Sequence, residues 1–172
     1  MYQPGDTVVY LTHGVGDIER REEREVMGEK REYFFIRFRS GMTSQVPVKY
    51  ARETGLRSLI SKRAATKVSR TLASEPSGQG GLWSHRVQRN EDKLKRGEAE
   101  LTAEVVRDLS ALERIGKISS SEHLLRRKAV GLLAQELGDV WKVDADEAEE
   151  RIVTIVEEAA AESAQTAESA AA

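Results

Sequence analysis

The sequence predicts an α+β protein with two domains, an N-terminal small β-barrel of the Tudor or SH3 type followed by an all-helical domain. The first part of the chain has short runs of β-branched and aromatic residues, separated by glycine turns at intervals of about ten residues. The second part repeats apolar residues at three- and four-residue steps and is rich in Ala and Glu. We expect a barrel over 1–72, a Gly/Pro/Ser-rich linker over 73–81, helices over 82–158 and a disordered Ala/Glu-rich tail over 159–172.

The predicted barrel contains four to five short strands. Its strand-forming segments are Thr7–Leu11, the charged stretch Asp17–Val26, the aromatic stretch Glu32–Arg39 and Met42–Val48, where Pro47 suits a strand edge or end. A short helix over Ser58–Leu72 is expected to cap one end of the barrel. Barrels of this kind usually bind proteins or nucleic acids, although a fold alone does not establish function.

Four helices are predicted after the linker. They cover Leu82–Arg96, Leu101–Arg114, about Ser120–Leu137 and a last helix after Asp144. Ser119 and Glu122 form a capping-box pattern, and Asp144 with Glu147 resembles one. The third of these helices is expected to turn Leu124, Leu125, Leu132, Leu133 and Leu137 inward, and the fourth Ile152, Ile155 and Val156. Trp141 is interpreted as a core residue.

The formal charge is distributed unevenly along the chain. Residues 1–72 carry +5, residues 73–132 carry +2 and residues 133–172 carry −9, so the total of −2 hides a gradient. This distribution excludes a protein that coats DNA by bulk positive charge. We therefore expect the intrinsic affinity for nucleic acid to be weak and salt-sensitive.

Trp83 begins a basic helical segment and is the main candidate for a functional side chain. Arg86, Arg89, Lys93 and Arg96 follow it at three- and four-residue steps that share one helical face. A hydrophobic wedge beside a basic stripe is typical of proteins that open a minor groove, where the wedge unstacks a base step and the cations hold phosphates. In the alternative interpretation Trp83 fills the core of the helical bundle and the cations form a solvated face.

No catalytic, metal or cofactor site is predicted. The histidines His13, His85 and His123 have no paired ligand spacing, and the sequence contains no phosphate-binding loop, zinc-protease motif or nucleophile elbow. The absence of cysteine fits a reducing compartment. No apolar run approaches the roughly 20 residues that span a bilayer, and the first residues lack a signal pattern. We expect a cytoplasmic, non-enzymatic protein without a membrane partner.

Several motifs, in order and spacing, resemble the CarD/CdnL family of bacterial transcription regulators. They are GDTVVYLTHGVGDI from Gly5, MGEKREYFFIRF from Met27, VPV from Val46, TGLR from Thr54, WSHR from Trp83 and AEVVRDL from Ala103. Each motif is weak alone, and the resemblance rests on their joint order over about residues 3–155.

This resemblance implies a Tudor-like domain that docks on the β subunit of RNA polymerase and a helical domain that reaches promoter DNA at the upstream edge of the melted bubble. Trp83 is implied as a minor-groove wedge, with Arg86 as a basic residue of the DNA-facing helix. Arg89 and Lys93 are added from helical spacing alone. The implied polymerase-docking residues are Arg24, Val26, Gln45, Val46 and Pro47.

Three positions depart from the family pattern. Gln45 stands where relatives often carry arginine, which predicts that one charge-assisted contact to the polymerase is missing or replaced. Gln88 and His123 stand where some relatives have lysine, which predicts weaker phosphate contacts.

The functional hypothesis is a non-catalytic stabiliser of the promoter open complex that acts as a monomer. One alternative is an adapter whose helical domain binds another protein and buries Trp83. A second alternative is a fragment of transcription-repair coupling factor, against which the missing Walker loop argues.

Overall fold

A computed structural model describes residues 2–77 and 80–171 and divides the chain into two compact units, Met1–Leu59 and Ile60–Ala172. The first unit is an antiparallel sheet and the second contains five helices, which confirms the predicted α+β fold class with two domains. The predicted linker includes Gly78 and Gln79, which lie outside the described residues.

The first unit contains five antiparallel strands in the order β4-β3-β2-β1-β5. They are β1 (Thr7–Tyr10), β2 (Gly14–Val26), β3 (Glu29–Phe38), β4 (Thr43–Pro47) and β5 (Leu56–Ser58), with 3-10 turns at Leu11–His13 and Val48–Tyr50. Strands β2 and β3 are the longest and pair along their whole length, with a register shift between Ile18 and Arg20. Strand β4 lies at one edge of the sheet, where it pairs with β3.

One face of this sheet forms an apolar core. Alternate residues of β2, β3 and β4 point to it, because successive side chains of a strand point to opposite faces. Its fully buried members include Ile18, Phe34, Ile36 and Val46. Gly16 lies opposite Phe38 in the ladder, and a Cβ atom at this position would lie 2.8 Å from the carbonyl oxygen of Arg37, so no larger residue fits without a backbone shift.

The second unit is a helical bundle. Its helices are α1 (Lys62–Leu72), α2 (Trp83–Lys95), α3 (Ala99–Arg114), α4 (Ser120–Trp141) and α5 (Ala145–Ala171). Helix α3 is central and contacts α1, α2 and α4, which explains why Val105, Val106 and Leu109 are almost completely buried. In the described residues, no helix has a segment long and apolar enough to cross a membrane.

The structure contains both helix caps that were predicted from the sequence, at Ser119 and at Asp144. The Ser119 hydroxyl accepts the backbone N–H of Glu122, and the Glu122 side chain accepts the N–H of Ser119, which completes the predicted capping box. Asp144 accepts the N–H of Glu147 at 2.8 Å and starts α5. Trp141 packs half-buried against the core, as predicted.

The domain limits differ from the prediction in two places. The first compact unit ends at Leu59, because α1 belongs to the helical bundle: it packs on α3 and buries Ala65, Val68 and Leu72 there. The predicted boundary after residue 72 is therefore wrong, and α1, which was predicted as part of the first domain, belongs to the second unit. Residues 73–77 and 80–81 consequently belong to the helical unit, outside its helices.

Two predictions about the later helices are also corrected. The segment 159–171, predicted to be disordered, continues α5 to Ala171. Its alanine and glutamate residues favour helix even though most of their side chains are exposed. Leu124, predicted to face inward, is 63% exposed, whereas its neighbour Leu125 is buried.

Candidate functional site

Trp83 is the first residue of α2, and its side chain is 53% exposed. The preceding Leu82 is the N-cap residue and is also exposed, and Gly81 has φ +94°, a conformation that favours glycine. Helix α2 buries Asn90 and Leu94 instead, about two and three turns further along. The interpretation in which Trp83 fills the bundle core is therefore wrong.

Arg86, one turn after Trp83, points toward the start of α4. Its Nε and Nη2 donate to Oε1 and Oε2 of Glu122 at 2.7 and 3.1 Å, and its Nη1 donates to the Gly81 carbonyl at 2.8 Å. The Arg86 side chain is only 11% exposed and that of Glu122 is fully buried. The guanidinium is thus occupied by contacts inside the helical unit.

The protonation of this ion pair is set by its surroundings. Burial by itself would raise the pKa of Glu122, but the hydrogen bonds from Arg86 and Ser119 outweigh it and hold that pKa below its usual value. The hydrogen bond to Glu122 raises the pKa of Arg86. Both groups are therefore charged at neutral pH.

The other two predicted cations differ in exposure. Arg89 is exposed and donates to the carbonyl of Gly80 at 3.3 Å. Lys93 is 27% exposed and pairs with Glu104 at 2.8 Å, with Asp108 at 3.8 Å. Of the predicted basic stripe, Arg89 and Arg96 therefore remain at the surface, Arg96 paired with Glu98 at 2.8 Å, while Arg86 and Lys93 form ion pairs with α4 and α3.

Two further residues, which the sequence analysis did not select, anchor the loop that leads to Trp83. Arg107 donates to the hydroxyls of Ser74 and Ser77 at 2.8 and 2.7 Å and to Asp108 at 2.7 Å. Asp108 also accepts the backbone N–H of Ser77 at 2.9 Å. Their signal in the sequence is an Arg-Asp pair within an apolar helical stripe, since charged residues in such a stripe need partners.

The positions that depart from the family pattern make local contacts. Gln88 donates to Asp92 at 3.0 Å, one turn along α2. His123 lies 3.0 Å from Glu113 through its Nδ1 and is 46% exposed. Both side chains are at the surface.

The ladder register places four of the five predicted polymerase-docking residues on one face of the sheet. Arg20 and Gln45 lie opposite Phe35 in the ladder. The residues that share this outer face by alternation are Arg24, Val26, Gln45 and Pro47. Val46 points to the other face, opposite Phe34, and is 1% exposed. From this position only the backbone of the edge strand β4 is available to a partner, so the predicted role of Val46 in docking stays a prediction about its backbone.

Two guanidinium groups cover Phe35 on this outer face. They belong to Arg20 and Arg24, at 4.0 and 4.8 Å from the ring centroid, and Phe35 is consequently only 6% exposed. Arg24 also donates to the Gln45 side chain at 3.3 Å. Glu22, on the same face, pairs with Arg20 at 2.6 Å and with Arg24 at 3.9 Å, so the outer face carries an aromatic ring covered by two guanidinium groups that share one carboxylate.

Neither surface resembles a metal site. Among residues 2–77 and 80–171, no three histidine, aspartate or glutamate side chains come together in a way that could hold a metal ion. What the two surfaces offer is an exposed aromatic side chain at a helix start and a sheet face of arginines, glutamates and a glutamine packed over Phe35, which are features of binding sites.

Comparison with known proteins agrees with this division. Residues 2–60 match the model of the CarD-like/TRCF RID domain, and residues 67–153 match that of the CarD C-terminal domain. The chain is 34% identical over 138 residues to the putative transcription factor YdeB of Bacillus subtilis strain 168, covering 80% of this chain and 90% of that protein. The second family match argues against a fragment of transcription-repair coupling factor. The chain therefore belongs to the CarD/CdnL family of transcription regulators.

Proposed function

We propose that this protein docks on the β subunit of RNA polymerase and stabilises the promoter open complex by wedging Trp83 into the minor groove at the upstream edge of the bubble. The observation that carries the proposal is the 53% exposure of Trp83 at the start of α2. Leu82 is exposed next to it, and adjacent large apolar side chains at the surface are a feature of interaction sites. The protein would act without catalysis, as a monomer in the cytoplasm.

A wedge favours the open complex only through differential binding. Trp83 fits a bent or partly unstacked base step better than a closed duplex, and only such a difference shifts the equilibrium. Each 1.4 kcal/mol changes the ratio of open to closed complexes about tenfold. Unstacking costs a few kcal/mol per step, so the wedge needs the increased effective concentration that docking on the polymerase provides.

The charges around Trp83 support a weak, tethered DNA contact. Arg89 is exposed and contacts the carbonyl of Gly80, three residues before Trp83, whereas Arg86 and Lys93 are occupied by carboxylates of α4 and α3. Each phosphate contact contributes about −0.9 to the slope of log affinity against log salt for duplex DNA. Few contacts therefore predict a shallow salt dependence for the DNA step.

The outer face of the sheet supports the docking step. Arg24 and Gln45 are exposed there and contact each other, and the guanidinium of Arg24 lies over the ring of Phe35. Strand β4 lies at the sheet edge, and an edge strand can pair through its backbone with an extended segment of a partner. We propose that Arg24, Val26, Gln45 and Pro47 contact the polymerase, while Val46 supports β4 from the core.

The test is the lifetime of the open complex formed by purified bacterial RNA polymerase holoenzyme on a promoter. The wild-type protein is expected to prolong it, and Trp83→Ala to abolish the effect while binding polymerase equally well. Trp141→Phe, at the half-buried tryptophan, is the matched control and is expected to retain the effect. An undiminished effect of Trp83→Ala would contradict the wedge.

The alternative function is an adapter that links RNA polymerase to another protein. It requires that Trp83 has no role at the promoter, and the exposure of Trp83 argues against the buried tryptophan on which it was based. If the wild-type protein binds polymerase but leaves the open-complex lifetime unchanged, the adapter becomes the better interpretation.

A further inference from the structure

We propose that Arg86 is a positioning residue that sets the direction of Trp83 through Glu122, and that it is not a contact to DNA phosphate. This inference rests on the proposed role of Trp83 as a wedge. It concerns how the wedge is held, which is separate from whether DNA is its partner.

The N–H donors of Arg86 form hydrogen bonds with groups of the helical unit itself. Nε and Nη2 form a fork with both carboxylate oxygens of Glu122, and Nη1 reaches the carbonyl of Gly81. Gly81 lies two residues before Trp83, so this hydrogen bond fixes the backbone from which Trp83 projects. With 11% of its side chain exposed, Arg86 offers little surface to a phosphate.

Glu122 is fixed from its other side. Its Oε2 accepts the backbone N–H of Ser119 at 2.9 Å, and its own N–H donates to the Ser119 hydroxyl. The carboxylate is therefore held at the first turn of α4, a 22-residue helix that packs on α3 and α5. Through Arg86, the start of α2 is attached to the first turn of α4.

The start of α2 lacks a side-chain N-cap. Its N-cap residue, Leu82, has no side chain that can accept a hydrogen bond from the first turn. Gly81 allows backbone conformations that other residues avoid. Without Arg86, we expect the first turn to fray and Trp83 to sample several directions.

Redirecting Arg86 to a phosphate would leave the buried Glu122 carboxylate without its cation. Removing one partner of a buried ion pair is strongly destabilising, because an uncompensated charge remains inside the protein. A phosphate contact by Arg86 would therefore oppose the folded geometry of the site. Arg89, which is exposed, has no such conflict.

The first measurement is the anisotropy decay of Trp83 fluorescence in the full-length protein, with Trp141→Phe in every variant so that Trp83 is the emitting tryptophan. Arg86→Gln and Glu122→Gln are each expected to increase the amplitude of fast depolarisation, and the double variant no more than either single one. Lys95→Gln is the matched control on the same helix, since Lys95 is exposed and pairs with Asp92, and it is expected to leave the amplitude unchanged. Circular dichroism verifies that each variant is folded.

The second measurement is the salt dependence of binding to the polymerase–promoter complex. Arg86→Gln and Glu122→Gln are expected to shorten the open-complex lifetime without changing the slope of log affinity against log salt. Arg89→Gln is expected to make the slope shallower by about one. If Arg86→Gln makes the slope shallower while Glu122→Gln changes neither property, Arg86 is a phosphate contact and the proposal is overturned.

Arg86→Lys decides the case if Arg86→Gln does not fold. Lysine keeps the charge but cannot form the fork with Glu122. We expect greater depolarisation of Trp83 and a shorter lifetime, whereas a lifetime and amplitude equal to those of the wild type would overturn the proposal. The anisotropy is measured without polymerase, so it tests positioning even if Trp83→Ala proves that the wedge function is wrong.

Discussion

Glu122 shows how one side chain can serve both a helix and a site. It closes the capping box of α4 and neutralises Arg86, and it is fully buried while doing so. A buried carboxylate without donors would have a raised pKa, but Arg86 and Ser119 reverse that effect. Since the pKa of Glu122 is lower in the folded than in the unfolded state, the pair contributes stability above the unfolded pKa, about 4.3.

We predict that Glu122→Gln reduces the free energy of unfolding by about 1–3 kcal/mol at neutral pH, because a hydrogen bond to a charged group is weakened in a buried place. The difference from the wild type should shrink as pH falls below about 4.3 and Glu122 is protonated. Denaturant unfolding between pH 7 and pH 3 measures this.

Asp92→Asn on α2 is the control for this prediction. Asp92 pairs with Lys95 at 3.2 Å, but both side chains are well exposed. The substitution should change the free energy of unfolding by less than about 0.5 kcal/mol. A difference between wild type and Glu122→Gln that stays constant across the pH range would contradict the argument.

At the level of elements, strand β4 combines two roles on its two faces. Val46 points to the core opposite Phe34, and Gln45 points outward opposite Phe35 and contacts Arg24. A shift of the register by one residue would exchange these roles, so the apolar face fixes which residues can reach a partner.

We predict that Val46→Ala mainly lowers stability, whereas Gln45→Ala mainly weakens docking. Val46→Ala should lower the free energy of unfolding of the sheet by about 2 kcal/mol, because it removes buried methyl groups and leaves a cavity. Gln45→Ala should change it by less than about 0.5 kcal/mol but weaken binding to RNA polymerase. Thermal unfolding and a polymerase pull-down titration distinguish the two. Equal weakening of binding by both variants, each still folded, would contradict the assigned faces.

Helix α2 shows that helical spacing alone does not identify a functional surface. Arg86, Arg89 and Lys93 lie close together on the helix, yet α3 and α4 cover part of that face and provide carboxylates for two of them. Trp83 is not covered by α3 or α4, because it lies at the first position of α2, before the turns that pack on the bundle.

At the level of the whole molecule, the boundary between the two compact units lies between Leu59 and Ile60. The family matches, to residues 2–60 and 67–153, fall on either side of it. Helix α1 belongs to the helical unit through Val68 and Leu72, and the backbone N–H of Ile60 donates to the buried carboxylate of Glu136 at 3.0 Å.

We predict that the fragment 60–172 unfolds cooperatively, whereas the fragment 73–172 is less stable by about 5 kcal/mol. The reason is the loss of the burial of Ala65, Val68 and Leu72 against the bundle. Thermal unfolding followed by circular dichroism compares them. Equal melting temperatures for the two fragments would place α1 outside the cooperative unit.

Much of the local structure was predictable from the sequence. Runs of aromatic and β-branched residues identified the strands, and the capping residues Ser119 and Asp144 identified helix starts, because these signals act over a few residues. The exposure of Leu124 and the helical continuation beyond residue 159 were not predictable in this way. Whether an apolar residue is covered depends on the neighbouring helices, and a tail rich in alanine and glutamate suits a helix as well as a disordered segment.

The sequence by itself determined the α+β class, the family and the identity of Trp83 as the residue to test, since these depend on the types and order of residues. Tertiary structure decided that Trp83 is exposed, that Arg86 pairs with Glu122 and that Val46 belongs to the core. Arg86 and Glu122 lie 36 residues apart in the chain. Only packing of α2 against α4 brings them together, and no local pattern in the sequence encodes that distance.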